Sequence, residues 1–353
     1  MMKKISKVVL AVGGTGGHII PALAARETFI KEKVEVLLLG KGLTRFLEGE
    51  PDVLYYDIPS GSPFSLRPNQ MFSGARQLYQ GYTAALRMIK SFAPDVAVGF
   101  GSYHSLPAIL ASIRKRIPLF LHEQNVVPGK VNKLFSHFAK GVGMSFSAAG
   151  EHFRCRAEEV FLPIREPSEQ IVFPEASPVI CVVGGSQGAK ILNDCVPKAL
   201  AYVREKHANL YVHHIVGPKG DLEGVSRVYQ DAGIQHKVTF FEKNILGVLQ
   251  ASDLVIGRAG ATILNELLWV QVPAILIPYP GAHGHQEANA KFFTQTLGGG
   301  TMILQKHLTE ESLRKQVLLA LDPATSENRR KAMLDAQKNK SFKSLYQFIC
   351  ESL

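Results

Sequence analysis

A histidine directly behind a glycine turn is the first feature of the sequence able to do chemistry. In VGGTGGHIIPALA, residues 12–24, four glycines and a threonine lead into His18 at the start of a helical pattern. An imidazole titrating near pH 6.5 can take a proton from an attacking hydroxyl, and the positive end of a helix helps to keep it neutral. The turn has a use of its own. Glycines let the backbone come close to a ligand, and the first N–H groups of a helix favour an anion there. A second turn of the same kind, VVGGSQGAKILN, begins at Val182. Taken alone, each turn is open to two readings, an anion cradle or a tight structural turn, and His18 is open to a catalytic or a structural one.

A third stretch, DLVIGRAGATILNE, reads as a strand ending at Gly257 and a helix beginning near Ala261. That junction offers backbone N–H groups to a diphosphate. Glu266 falls about one and a half turns into the helix. A carboxylate there suits a ribose diol, since it accepts two hydroxyl hydrogen bonds at once, but it also serves as ordinary compensation of the helix dipole. Several other chemistries lack their residues. In a dinucleotide-binding G-x-G-x-x-G the third glycine would fall on Ile19, and VEVLLLGKG ends without the acidic residue for a ribose. GGSQGAK lacks the spacing and the following Ser or Thr of a P-loop. No D-x-D occurs, which argues against a donor diphosphate bridged by a divalent ion, so neither a metal nor a cofactor is expected. Cys155, Cys181, Cys195 and Cys350 show no C-x-x-C spacing, which indicates neither a zinc site nor a disulfide framework and fits the cytoplasm.

The elements that must position these residues follow from the pattern. VVLAV, VEVLLLG, APDVAVGFG, IPLFLHE, PVICVVGG, NLYVHHIVG, KVTFFE, ASDLVIGR and VPAILIPYP read as strands alternating with helices. Such alternation predicts α/β architecture with parallel sheets covered on both faces. The two glycine turns superpose at an offset of 171, pairing Gly13 with Gly184, Gly14 with Gly185, Thr15 with Ser186 and Gly17 with Gly188. The repeat implies two similar doubly wound domains in tandem, as a length of 353 residues allows. The boundary is expected near residues 162–178, giving an N-terminal domain over 1–164 and a C-terminal one over 165–353. A charged terminal helix from about Glu327 is placed to pack back on the N-terminal domain. MMKKISKVVLAV resembles the start of a signal peptide, but its apolar run stops at Gly13, so it reads as a buried first strand. No apolar run approaches the roughly 20 residues of a membrane span.

Charge is concentrated. Residues 61–140 hold ten Lys or Arg and two acidic residues, a net +8 out of +10 for the chain. Such a surface meets phosphates or an anionic membrane, or is merely solvated. Without aromatic-interleaved basic motifs, nucleic acid is not expected as a partner.

GGTGGH near the N-terminus, HEQN at His122–Asn125, GGSQGA at Gly184–Ala189, RAGATILNE at Arg258–Glu266 and HQEANA at His285–Ala290 together resemble the MurG family. The resemblance spans residues 8 to about 295, with order and spacing kept. It implies a GT-B fold, two Rossmann-like doubly wound domains facing across a cleft. It implies UDP-N-acetylglucosamine (UDP-GlcNAc) as donor and undecaprenyl-pyrophosphoryl-N-acetylmuramyl-pentapeptide as acceptor, joined in peptidoglycan synthesis. The site residues it implies are these. His18 is the candidate base, with Glu123 and Asn125 as further catalytic candidates. Thr15, Gly16 and Gly17 line the sugar and acceptor phosphate. Ala261, Thr262, Ile263, Leu264, Asn265 and Glu266 carry the donor, Glu266 on the ribose. His285 and Gln286 read the sugar hydroxyls, Ser186 and Arg165 lie near the donor phosphates, and Glu242 contacts uracil through its backbone. Two departures stand out. Arg165 sits in LPIRE where Asn-Pro-Val/Ile-Arg is usual, and Ser102 replaces the glycine of a Gly-Gly-Tyr turn, adding a side chain where the backbone would approach a phosphate.

The reaction implied is an inverting transfer, in which the muramyl 4-hydroxyl attacks the anomeric carbon, UDP leaves and a β-1,4 bond forms. A UDP-GlcNAc 2-epimerase of the same fold would need no lipid acceptor, and a silent wall-assembly scaffold would tolerate loss of His18 and Glu266. A lipid-linked acceptor brings the enzyme to the cytoplasmic face of the bacterial inner membrane as a peripheral protein. On a helix, Met71, Phe72, Ala75, Leu78, Tyr79, Tyr82, Leu86 and Ile89 share an apolar face, which reads as core or as membrane contact. Arg114, Lys115 and Arg116 follow a second apolar segment.

Overall fold

In the computed structural model, the described residues are 4–61, 68–162, 164, 169–173, 177–281 and 284–353. The chain divides into two compact units, Met1–Ile164 with Ser341–Leu353, and Arg165–Lys340.

The first unit runs β1 (Lys7–Gly13), α1 (Gly16–Lys31), β2 (Glu35–Lys41), α2 (Thr44–Leu47), β3 (Tyr55–Asp57), α3 (Pro68–Phe92), β4 (Val96–Gly99), α4 (Leu106–Arg114), β5 (Leu119–Glu123), α5 (Lys130–Phe135), β6 (Gly141–Met144) and β7 (Ala157–Glu159). Its seven strands lie in the order β3-β2-β1-β4-β5-β6-β7, all pairings parallel. The second unit runs β8 (Val179–Val183), α6 (Lys190–Arg204), β9 (Tyr211–Ile215), α7 (Leu222–Asp231), β10 (Gln235–Thr239), α8 (Ile245–Gln250), β11 (Leu254–Gly257), α9 (Ala261–Val270), β12 (Ala274–Leu276), α10 (His285–Lys291), β13 (Gly300–Met302), α11 (Glu310–Ala320) and α12 (Pro323–Lys338). Its six strands lie in the order β10-β9-β8-β11-β12-β13, again parallel.

Central strands of a parallel sheet are covered on both faces, so they read as continuous apolar runs. VVLAV in β1 is buried at every position, which makes the N-terminal apolar run the centre of the first sheet. One face packs Val8, Leu10 and Val12 against Ile19, Ala22, Ala25 and Phe29 of α1, and the other packs Val9 and Ala11 against Ala85 and Ile89 of α3 and Ile109 of α4. In the second unit α6, α7 and α11 cover one face through Val196, Leu200, Tyr229, Leu313 and Val317.

The C-terminal stretch differs from the single charged helix expected from about Glu327. Asp322 caps α12, its side chain accepting from Thr325 N–H, and this helix stays in the second unit. After a break a further helix, α13 (Leu345–Ser352), opens on a Ser344–Gln347 capping box and buries Leu345, Phe348, Ile349 and Cys350 in the first unit. What returns is this apolar helix.

The apolar stripe on α3 also divides. Ala85 and Ile89 are buried, whereas Met71, Phe72 and Tyr79 are 49%, 75% and 67% exposed. Gly81 explains how the packed half fits, because a Cβ there would collide with the Pro59 carbonyl. Among the described residues no helix is long and apolar enough to cross a membrane.

Candidate active site

In an open parallel sheet the strand order reverses at one point, and loops at the carboxyl ends of the two strands flanking it diverge to leave a crevice. In the first sheet that point lies between β1 and β4, in the second between β8 and β11. The glycine turn with His18 follows β1 and GSYHS follows β4; GGSQGA follows β8 and RAGA follows β11. Both crevices are therefore lined by residues that the sequence singles out.

In the first unit, Gly13 and Gly14 take φ values of +139° and +94°, which side-chain-bearing residues rarely adopt, and Gly14 N–H donates to Lys41 O at 3.0 Å. A Cβ on Gly13 would lie 2.8 Å from the Lys41 backbone. Thr15 occupies the N-cap of α1 in extended conformation without a side-chain cap bond, so its hydroxyl does not occupy the N–H groups of Gly16 and Gly17. His18 is half-buried, and its Nδ1 lies 2.9 Å from the Phe100 carbonyl oxygen. A carbonyl only accepts, so Nδ1 carries the proton and Nε2 keeps its lone pair.

HEQN supports that histidine from β5. Gln124 Nε2 lies 3.2 Å from the same Phe100 oxygen. His122 is fully buried with its ring 5.3 Å from that of Phe100, and burial pushes its pKa down to about 3, so it stays neutral and structural. Glu123, 1% exposed, accepts four N–H bonds: from Asn125 N–H and Nδ2, Gly129 N–H and Asn132 Nδ2, at 2.9–3.1 Å. A carboxylate so committed shapes the loop that orients Asn125 and is poorly placed to take a proton from a substrate. In the loop after β4, Ser102 adopts φ +68°, ψ 148°, the conformation a glycine would take without strain, and its Oγ accepts from His104 N–H at 3.3 Å. His104, unmarked by the sequence reading, reaches the glycine turn, lying 2.9 Å from where a Gly14 Cβ would be. Its only signal was its place in GFGSYHS.

In the second unit, Gly185 and Gly188 take φ of +81° and +73°, and Ser186 between them is exposed. Gly260 caps α9 without a side-chain cap bond. The helix N-terminus therefore presents the N–H groups of Ala261, Thr262 and Ile263. Thr262 Oγ1 is buried without a partner among the described residues. Leu264 is 0% exposed and its N–H already bonds Gly260 O at 3.2 Å, so it supports the helix from behind. Asn265 likewise turns to its own helix, donating to Ala261 O at 3.0 Å, with Lys340 Nζ on its Oδ1 at 3.3 Å. Glu266 has no ion pair or hydrogen bond to another described residue, and burial pushes its carboxyl up to about 7.

Gln286 Oε1 accepts from Tyr279 N–H at 2.9 Å and Ala259 N–H at 3.3 Å, which ties α10 to the loops after β11 and β12 and leaves only its amide N–H groups for a ligand. His285 opens α10 beside it and is half-buried. Arg258, unmarked except as part of the motif, stacks 5.4 Å over Tyr279 and donates to Ile277 O at 3.0 Å. Glu242 turns its side chain inward. Oε1 accepts from Asn244 N–H at 2.9 Å, and Oε2 lies 3.3 Å from His213 Nε2, without the alignment of a hydrogen bond. Burial holds His213 down at about 4 despite that carboxylate. Arg165 lies outside the described residues.

Two successive parallel sheets, each with a glycine turn and a helix N-terminus at its switch point, are the paired doubly wound domains of a GT-B-type fold. The chain belongs to glycosyltransferase family 28: residues 8–144 match the family's N-terminal domain and residues 179–347 its C-terminal domain. It is 82% identical over 352 residues, covering all of both chains, to the UDP-N-acetylglucosamine--N-acetylmuramyl-(pentapeptide) pyrophosphoryl-undecaprenol N-acetylglucosamine transferase of Chlamydia trachomatis serovar D. The protein of that name from Chlamydia pneumoniae is 54% identical over 357 residues, again covering all of both. Among solved structures, Acinetobacter baumannii MurG superposes with a TM-score of 0.75 at 26% identity, covering 98% of each chain. The MurG resemblance read from the motifs thus extends over the whole chain.

Proposed function

We infer that the chain transfers N-acetylglucosamine from UDP-GlcNAc to the 4-hydroxyl of lipid-linked N-acetylmuramyl-pentapeptide, converting lipid I to lipid II in peptidoglycan synthesis. The observation that carries this reading is the 82% identity, end to end, with a transferase of that name. The geometry supports a division of labour. His18 Nε2, its lone pair fixed by the Nδ1 bond to Phe100, accepts the proton of the muramyl hydroxyl as its oxygen attacks the anomeric carbon. The bond to the UDP oxygen breaks with inversion, and UDP leaves with the electron pair.

On the donor side, the N–H groups at the start of α9 and the Ser186 hydroxyl stabilise the leaving diphosphate by preorganised dipoles. Glu266 accepts from the ribose diol, His285 and the Gln286 amide contact the sugar, and the backbone at Glu242 meets uracil. On the acceptor side, Thr15, Gly16 and Gly17 line the phosphate, and Asn125, held by Glu123, faces the reacting sugar.

The protein works at the cytoplasmic face of the inner membrane. Met71, Phe72 and Tyr79 are exposed beside Arg76 on α3, and Arg114, Lys115 and Arg116 are exposed at the end of α4. Apolar side chains flanked by cations suit an anionic bilayer surface, where each nearby basic residue contributes about 1 kcal/mol.

Incubation with labelled UDP-GlcNAc, with and without a short-chain lipid acceptor, tests the reading. Label on the acceptor as a β-1,4 disaccharide is expected. Label recovered in an epimerised nucleotide sugar, or no transfer, would overturn it.

A further inference from the structure

The first crevice holds a second imidazole. His104 lies edge-on against the glycine turn, where a Cβ on Gly14 would be 2.9 Å from its Cδ2 and 3.8 Å from its Nε2. At the opposite edge of the ring, Nδ1 is buried and has no hydrogen-bond partner among the described residues. A buried N–H without an acceptor forfeits about 1–3 kcal/mol, and orphaned N–H groups are rarer in folded proteins than under-used acceptors. The proton of neutral His104 therefore belongs on Nε2, at the edge that meets the turn. His18 is arranged the other way, with its proton on Nδ1 towards Phe100 and its lone pair on Nε2. Two imidazoles at one turn thus present opposite functions, one accepting and one donating.

We propose that His104 is a binding residue for the acceptor: neutral, it donates its Nε2–H to an anionic oxygen of the acceptor diphosphate at the Gly13–Gly14 turn, while His18 receives the hydroxyl proton. The inference rests on the transferase reading above. The surroundings keep His104 a neutral donor. Burial, then the charge of Lys41 at the end of β2 and the charge that His18 at the start of α1 carries once protonated, hold its pKa below the ordinary histidine value. Lys41 is itself anchored, Nζ donating to Ser60 O at 2.7 Å, so its charge stays beside the turn. A neutral His104 also spares His18 a second cation at the moment it takes up the proton. Ser102 completes the arrangement, its Oγ 3.1 Å from where a Gly14 Cβ would be and accepting from His104 N–H, which fixes the ring's approach to the turn.

The test compares His104→Leu, which removes the donor, with His104→Gln, whose amide restores one. In the lipid-acceptor assay, His104→Leu should raise the acceptor KM about tenfold, the loss of one hydrogen bond to a charged group, while the donor KM and kcat stay near wild type. His104→Gln should recover most of that loss. An unchanged acceptor KM in His104→Leu, or equal losses in both variants for donor and acceptor alike, would overturn the proposal. The wild-type protein gives an independent measurement should His104→Leu fail to fold. With 15N-labelled histidine, the His104 signals, assigned by their absence in His104→Gln, should show the Nε2–H tautomer and shift on titration with inorganic diphosphate. Absence of any shift at saturating diphosphate would equally overturn it. Failure of the wild type to transfer sugar to the lipid would count against the transferase reading, while the diphosphate titration would still decide the His104 contact.

Discussion

The imidazole of His18 and the backbone carbonyl of Phe100 are joined at 2.9 Å, across the switch point between β1 and β4. That bond decides which ring nitrogen holds a proton and aims the other at the crevice. The same carbonyl lies 3.2 Å from Gln124 Nε2, so the loop after β4 couples HEQN to His18. Replacing His18 by Ala should lower turnover by about two to four orders of magnitude, since proton removal matters only in the transition state. UDP affinity and melting temperature should stay near wild type. A folded His18→Ala protein with near-normal turnover would remove the base assignment and direct attention to Asn125.

On the proposed ribose contact, Glu266 should set a pH dependence of donor binding. Burial raises its carboxyl to about 7 in the free protein, whereas the charged form is the better acceptor for a ribose diol. Affinity for UDP-GlcNAc should therefore rise about tenfold from pH 6 to pH 8, following the ionised fraction. Glu266→Gln should abolish that slope and bind weakly at both pH values. The linkage to folding has the opposite sign. A carboxyl with a raised folded pKa is not penalised below its unfolded value near 4.5, and its destabilisation of the donor-free protein is complete above about 7. Calorimetric titration of wild type and variant at several pH values checks both parts.

Ser102 stands at φ +68°, ψ 148°, a region occupied almost only by glycine. Relief of that strain, less the entropy regained by a more flexible unfolded chain, should make Ser102→Gly more stable by about 1 kcal/mol. Denaturant unfolding measures it. A destabilised Ser102→Gly would mean that the Ser102 Oγ bond to His104 N–H outweighs the strain.

Much of this fold was legible because central parallel strands are continuous apolar runs, and all nine strands read from the sequence are present. The four others, β3, β6, β7 and β13, read YYD, GVGM, AEE and GTM and lack such a run. The candidate site was legible where glycine turns and motifs mark it. Spacing could not show that Glu123 would be surrounded by N–H donors, or that the Gln286 carbonyl would face the backbone of Ala259 and Tyr279. Those are consequences of how loops from different strands meet. His104 escaped notice for the same reason, since its neighbour Gly14 lies 90 residues away in the chain.

Arg114, Lys115 and Arg116, all exposed, provide a way to separate membrane binding from catalysis. Changing the three to Gln should weaken binding to anionic vesicles at low salt by up to about 3 kcal/mol, from about 1 kcal/mol per basic residue near the surface. Turnover of a water-soluble acceptor should survive. Undiminished vesicle sedimentation would assign this basic patch to something other than lipid.

Phe348 tests whether the returning C-terminal helix is integral to the first unit. Its ring is 0% exposed and packs edge-on at 6.1 Å against Phe120 of β5, the strand that ends in the HEQN segment. A Cβ on Gly141 of β6 would lie 2.7 Å from that ring, so the glycine makes room for it. Around it, Lys343 pairs with Glu158 and Glu351 at 2.7 Å each, but such partly exposed ion pairs contribute little beside a buried ring. Phe348→Ala should cost about 3–5 kcal/mol, the transfer term plus the cavity. The loss should fall on the first unit, lowering the melting temperature and acceptor turnover. UDP binding by the second unit should be retained under conditions where that unit stays folded. A variant with unchanged melting temperature would show that α13 is dispensable to the core it covers.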